Sequence, residues 1–130
     1  MSEATLLTLC LTVLAAPLAG FVVQYALGRR LPGQGAWLTV ATIGASLACS
    51  IVLALHVLGE GAGYAEHLGP WTWLDFGAEG SWGIGITLDG LTAVMLVVVS
   101  GVSFLVHLFS VGYMKGDAKY PLFFAWLQMF

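Results

Sequence analysis

From Ala4 to Leu27 the chain carries no charged residue, and at about 1.5 Å per residue a helix over that stretch outreaches the ~30 Å of hydrocarbon in a bilayer. No other feature of the sequence constrains the fold as hard. In lipid every backbone polar group has to be satisfied within the protein, so a run of this kind is a spanning helix. The pattern recurs from Ala36 to Leu58 and from Ile86 to Met114, with Asp89 near the entrance of the third run, and a fourth run begins at Pro121 and reaches Phe130. Pro17, near the middle of the first span, removes a backbone hydrogen bond and favours a kink, which membrane helices tolerate when a neighbour satisfies the freed carbonyl. The proline at Pro121 suits a first helical turn. The expected fold is therefore all-α, a single membrane region over residues 1–130. It is a polytopic transmembrane helix bundle with three spans (4–27, 36–58, 86–114), the start of a fourth (121–130) and a connection over 59–85. The fourth run has about half of the ~20 residues a crossing needs, so the sequence is expected to be the front end of a longer membrane subunit.

Composition closes off other classes. Charged residues make up 8% of the chain, far below the ~25% of an average soluble domain. With four Lys and Arg in all, there is no basic patch to neutralise phosphates, and nucleic acid is excluded as a partner. Cys10 and Cys49 fall inside apolar runs without CxxC spacing, so they are expected to be buried thiols and no metal site is expected. Met-Ser-Glu-Ala-Thr5 lacks the basic start of a secretory signal, so the first span is expected to be retained.

Cations set the orientation, because Lys and Arg are retained on the cytoplasmic side. Arg29 and Arg30 lie between spans one and two, Lys115 and Lys119 between three and four, and the 59–85 connection has none while carrying Glu60, Glu66, Asp75 and Glu79. That connection and the N-terminus are expected to be extracytoplasmic, in the cytoplasmic membrane of a bacterium. Trp71, Trp73 and Trp82 on that side, with Tyr25, Trp37, Tyr113 and Trp126 toward the other, fit the aromatic belts of a bilayer. Within the connection, Trp71-Thr-Trp-Leu-Asp-Phe76 and Trp82-Gly-Ile-Gly-Ile-Thr87 alternate around the turn-prone Gly77-Ala-Glu-Gly-Ser81, which predicts a short β-hairpin. Gly59-Glu-Gly-Ala-Gly63 follows no strand and lacks a third spaced glycine, so it reads as a loop and not as a nucleotide cradle.

Polar groups inside the spans are few. Thr5, Thr8, Thr12, Ala15, Ala19 and Val23 share one face of span one; Gly35, Thr39, Thr42, Ser46 and Ser50 share one face of span two. Small and hydroxyl residues at that spacing let helices approach closely, which predicts packing more than chemistry. On span three, Asp89 and His107 lie about five turns apart on one face, with Thr92, Ser100, Ser103 and Ser110 in the same sector. Ala93, Leu96 and Val99 interrupt that stripe, so no continuous proton wire follows from this helix alone. His107 and Asp89 are the candidate proton-path residues, because an ionisable group at membrane depth is costly to keep. Each has a plainer role as well: a hydrogen-bonded packing histidine, and a carboxylate at a helix terminus. His56 and His67 read as interface and loop residues. No acid pair, nucleophile-base set or metal-ligand cluster stands in the sequence, so no catalytic residue is assigned and the chain is not expected to be catalytic by itself.

Trp71-Thr-Trp73, Leu88-Asp-Gly-Leu-Thr-Ala-Val-Met95, Ser100-Gly-Val-Ser-Phe-Leu-Val-His107, Gly112-Tyr-Met-Lys-Gly-Asp117 and Tyr120-Pro-Leu-Phe-Phe-Ala125 together resemble the beginning of the subunit L family of NADH-quinone oxidoreductases. This is the antiporter-like membrane subunit of respiratory complex I. In the first two spans the resemblance is confined to length, Pro17-Leu-Ala-Gly20 and Gly28-Arg-Arg30. It implies a proton-translocating parent subunit, other complex I membrane subunits and the remainder of its own subunit as partners alongside lipid, and proton-carrying residues beyond the end of this sequence. NADH, flavin, iron-sulfur clusters and quinone belong, on that resemblance, to the parent complex, with no cofactor expected in this chain. Sodium/proton antiporter subunits and membrane subunits of some hydrogenases share much of the pattern. A small autonomous transporter or a membrane assembly protein is the reading from a different class; such a transporter normally needs a membrane-embedded acid, and spans one and two have none.

Overall fold

The computed structural model describes residues 2–61, 63–77 and 80–129. Ser2 caps the first helix, α1 (Glu3–Leu27), its side chain accepting from the Thr5 amide, and Glu3 sits in the first turn where the helix dipole favours an acid. Pro17 lies inside α1 without ending it. A proline there deprives the Val13 carbonyl of its helical donor, and the Ser46 hydroxyl of the second helix donates to that carbonyl at 3.0 Å. The chain turns back through two short 3-10 segments, Gly28–Arg30 and Pro32–Gly35. Gly33, Gln34 and Gly35 take left-handed backbone angles there (φ 61°, 56° and 76°).

The second helix, α2 (Ala36–Glu60), packs between α1 and the third helix, α3 (Gly90–Tyr113); a short fourth helix, α4 (Tyr120–Met129), packs on α1 and more lightly on α2. Three helical stretches among the described residues, Glu3–Arg30, Pro32–Glu60 and Gly90–Tyr113, are long and apolar enough to cross a membrane. Their outer faces are greasy: Val98, Leu105 and Phe109 of α3 are exposed, while Ala93, Ser100, His107 and Ser110 are buried.

Between α2 and α3 stands one antiparallel hairpin, β1 (Ala65–Asp75) with β2 (Ser81–Asp89). It is longer than the residue alternation suggested. Residues 86–89, counted from sequence in the third span although Ile86 and Thr87 also close the alternating stretch, continue β2, pairing Ile86 with Leu68, Thr87 with His67, Leu88 with Glu66 and Asp89 with Ala65. The reason is packing: Leu68 and Leu88 are driven into the same apolar core as Leu6, Leu53, Val57 and Ala93, so the foot of the hairpin is buried against the bundle. Beyond Leu68 the register shifts at Gly69 and Pro70, where Gly69 has φ 102°, and the outer half carries exposed Trp71, Trp73 and Trp82. Ala78 and Glu79 of the expected turn, Ala62 of the preceding loop, and Phe130 at the end of the fourth run lie outside the described residues.

Span one departs from its expected packing face. Thr5, Thr8, Ala15, Ala19 and Val23 are exposed, and the buried line of α1 is Leu6, Gly20 and Gln24, running on to Gly28. Thr8 and Thr12 donate to the carbonyls of Ala4 and Thr8 in their own helix, each at 2.7 Å, so they have no need of a neighbour. On α2 the expected stripe is turned inward, with Thr39, Ser46 and Ser50 buried.

Candidate functional site

Asp89 and His107 are not brought together. Asp89 ends β2 and caps α3, its carboxylate accepting from the Thr92 amide at 2.7 Å. That amide hydrogen bond, with the Thr92 side chain, holds the Asp89 carboxyl below its ordinary range. Eighteen residues of helix, about 27 Å of rise, separate it from His107. His56 leans edge-on against Tyr64 and sits 3.7 Å from the Glu60 carboxylate; His67 Nδ1 and the Thr87 hydroxyl meet at 3.0 Å across the hairpin. The Tyr64 hydroxyl donates to Glu66, whose carboxylate pushes the phenol up to about 12. These groups stay at the hairpin end of the molecule.

Arg29 and Arg30 follow the end of α1, Lys115 and Lys119 follow α3, and all four are exposed. A single side chain ties these two corners together. Gln24, fully buried on α1, donates from Nε2 to the Gln34 carbonyl at 2.8 Å and to the Pro121 carbonyl at 3.2 Å. The turn after α1 and the start of α4 are thereby joined, and all four cations share one end of the bundle. Gly35 is needed at this joint: its φ of 76° disfavours any side chain, and a methyl group would overlap the Gln24 amide.

His107 lies deeper, on the inward face of α3. Its Nδ1 is 2.8 Å from the Ser103 carbonyl, so Nδ1 carries a proton and donates; in the neutral ring Nε2 is then a lone-pair acceptor. The ring is buried against Phe124 of α4, centroids 6.3 Å apart, and Nε2 has no hydrogen-bond partner among the described residues. It lines a cavity of about 270 Å³ walled by α1, α2, α3 and α4, together with Ser46, Ser100, Ser103 and Gln128. Gln128 reaches it from α4, lying over Gly20 of α1 where a methyl group would collide with the amide. Its Nε2 donates to the Thr42 hydroxyl, while its Oε1 is buried without a partner among the described residues. A buried acceptor left so costs about 1–3 kcal/mol.

Sequence reasoning found His107 and the α2 hydroxyls but passed over Gln24 and Gln128. The signal was present: an amide within an apolar run, with glycines four residues to either side of Gln24 at Gly20 and Gly28. Cys10 and Cys49 are free and half-buried, and among the described residues no three His, Cys, Asp or Glu gather as metal ligands. The donor set does not fit an iron-sulfur cluster.

A family model described as NADH-Ubiquinone oxidoreductase (complex I), chain 5 N-terminus, matches residues 73–124, a stretch holding Asp89, His107, Lys115 and Lys119. NADH-quinone oxidoreductase subunit L of Neisseria meningitidis serogroup A is 35% identical over 130 residues, covering 95% of this chain and 18% of that protein. Over nearly its whole length the chain is similar to subunit L. NADH-quinone oxidoreductase subunit L of Escherichia coli is 34% identical, covering 94% of this chain and 20% of its own length. NADH-ubiquinone oxidoreductase chain 5 of Metridium senile is 35% identical, covering 91% of this chain and 19% of its own length. The chain thus spans about a fifth of the curated relatives it matches, and the similarity extends through the first two helices, where the sequence motifs were sparse. Apolar helices and similarity to subunit L together make this an integral membrane protein.

Proposed function

We propose that this chain forms the N-terminal helices of a proton-translocating membrane subunit of NADH:quinone oxidoreductase, where it serves as scaffold beside the path of the protons. The observation that carries the reading is the similarity to subunit L over 95% of the chain. Partners are then the remainder of the same subunit and the neighbouring membrane subunits of the complex. NADH, flavin, iron-sulfur clusters and quinone act elsewhere in that assembly. The membrane is the cytoplasmic membrane of a bacterium, with the N-terminus and hairpin extracytoplasmic and the Arg29, Arg30, Lys115, Lys119 end in the cytoplasm. Clustering of all four cations at one end, opposite Glu60 and Glu66, supports that orientation.

His107 is the proton-path candidate, supported by its burial and unpartnered Nε2; Asp89 is better suited to capping α3. Disrupting the gene in its host and measuring NADH-driven acidification of inverted membrane vesicles tests the subunit reading. Loss of acidification, restored by the complete gene, is expected; unchanged acidification overturns it. In the restored strain His107→Ala should lower pumping more than Val98→Ala, and equal effects remove His107 from the path.

A further inference from the structure

Arg29 and Arg30 do more than mark one end of the bundle: both line a cavity of about 400 Å³, with Gln24 and Tyr25 of α1 and Pro121 and Leu122 of α4. That volume falls within the ~300–1,000 Å³ of small-molecule sites. No acid lines it. Among the described residues no carboxylate pairs with either guanidinium: the one ion pair, His56 with Glu60, stands at the hairpin end, and the Asp117 carboxylate accepts from the Lys119 amide. Gln24 spends its amide hydrogens on the Gln34 and Pro121 carbonyls, so it walls the cavity without adding a donor. Donation is left to the two guanidiniums. The first turn of α4, whose N–H groups have no partner inside the helix, brings the positive end of a dipole to the same place at Pro121 and Leu122. Two planar donor forks with no carboxylate of their own, beside a helix start, suit a phosphate group.

What adjoins the cavity decides which phosphate. Tyr25 and Leu122 in its lining are exposed, and one turn farther into the bundle Phe21 follows Tyr25 on α1 while exposed Trp126 follows Leu122 on α4. The Phe21 ring joins the two helices, its centroid 5.9 Å from that of Tyr25 and 6.4 Å from that of Trp126. An aromatic seam thus runs from the basic cavity along α1 and α4 toward membrane depth. A free anion makes no contact with such a seam, whereas a lipid has a chain to lay on it. We propose that this cavity binds the phosphate of an anionic phospholipid, held by Arg29 and Arg30, with an acyl chain lying along Tyr25, Phe21 and Trp126. The site needs only a bilayer around this end of the bundle. It does not rest on which leaflet that is or on what the parent subunit transports, so it holds or fails apart from the reading above.

Native mass spectrometry of the complete subunit, titrated with phosphatidylglycerol, tests the site, together with cryo-electron microscopy of the same protein in phosphatidylglycerol nanodiscs. The expected map has a headgroup within reach of both guanidiniums and a chain against Phe21 and Trp126. Arg29→Gln with Arg30→Gln should weaken the tightest binding by about tenfold, whereas Lys115→Gln with Lys119→Gln, which removes the same charge from the same end, should change it by less than about twofold. Because the arginines also set topology, Arg29→Lys with Arg30→Lys keeps their charge, and it should bind about threefold more weakly, since an ammonium lacks the bidentate fork. Glycerol 3-phosphate, which has a phosphate and no acyl chain, should fail to displace the lipid. Equal losses in the two glutamine pairs overturn the proposal, because binding then follows surface charge alone. Displacement by glycerol 3-phosphate, which assigns the cavity to a free phosphate, overturns it as well, and so does a map in which another helix of the subunit fills the cavity.

Discussion

Helices α1 and α2 both carry a stripe of small and hydroxyl residues, yet α2 buries its stripe and α1 turns its own outward. Apart from Ser46, which donates to the Val13 carbonyl of α1, the hydroxyls behave alike in both settings. Thr8 and Thr12 donate to their own helix on the outside, and Thr39 and Ser50 donate to the carbonyls of Ala36 and Ser46 on the inside, at 2.7 and 2.8 Å. A hydroxyl that is satisfied by its own helix is as comfortable against lipid as against a neighbour. An amide is different, because it has two donors and an acceptor and its own helix serves none of them. Gln24 and Gln128 therefore fix which faces meet, and Gly20 and Gly35 are the notches that admit them.

The largest effects should fall on the amide joint. Gln24→Ala leaves the Gln34 and Pro121 carbonyls without their donor and opens a hole, and should cost about 3 kcal/mol in reversible unfolding from mixed micelles. Gly35→Ala meets both an unfavourable φ and the Gln24 side chain, and should cost about 2 kcal/mol by the same measurement. A loss under about 0.5 kcal/mol in either variant, the size of an ordinary surface change, would remove the amides from their place as organisers of the bundle.

Ser46→Ala comes next, at about 1 kcal/mol, because it deprives the Val13 carbonyl of its donor. A double-mutant cycle sharpens this. In a Pro17→Ala background the helix can bond that carbonyl itself, so Ser46→Ala should then cost markedly less. Additive losses would break the link between the proline and the serine. At the small end, Thr39→Ala should cost about 1 kcal/mol in lost packing and Thr8→Ala less than about 0.5 kcal/mol. Equal losses would mean that the outward stripe of α1 packs after all.

Asp89 gives a pH dependence of known sign. Its folded pKa is depressed, so its capping contribution is fully present above the ordinary carboxyl value of ~3.9 and is lost as pH falls through the folded value. Asp89→Asn keeps a capping oxygen and should flatten that acid limb of the stability profile while leaving neutral stability nearly unchanged. An unaltered acid limb would assign it to other carboxylates.

Helix positions were legible because charge-free runs of this length have one physical outcome in lipid. The hairpin was legible in its outer half, where Trp71 to Phe76 and Trp82 to Thr87 alternate. Its foot was not, since Leu88 and Asp89 lie past the alternating stretch at the entrance of the apolar run, and only their pairing with Glu66 and Ala65 makes them strand. His107 stood out by charge. The place of Gln128 did not, because it depends on α4 folding back onto α1, a contact 108 residues apart in the case of Gly20 and Gln128. Periodicity within one helix holds no record of that.

Strand β2 ends at Asp89 and α3 begins at Gly90, with no linker between them. Such a joint has no slack. The hairpin is a direct extension of α3, its foot packed in the core at Leu68 and Leu88. At about 3.3 Å per residue the nine residues of β2 make an arm of about 30 Å. A 5° rocking of α3 that carried the hairpin with it would displace the far end of that arm by about 3 Å.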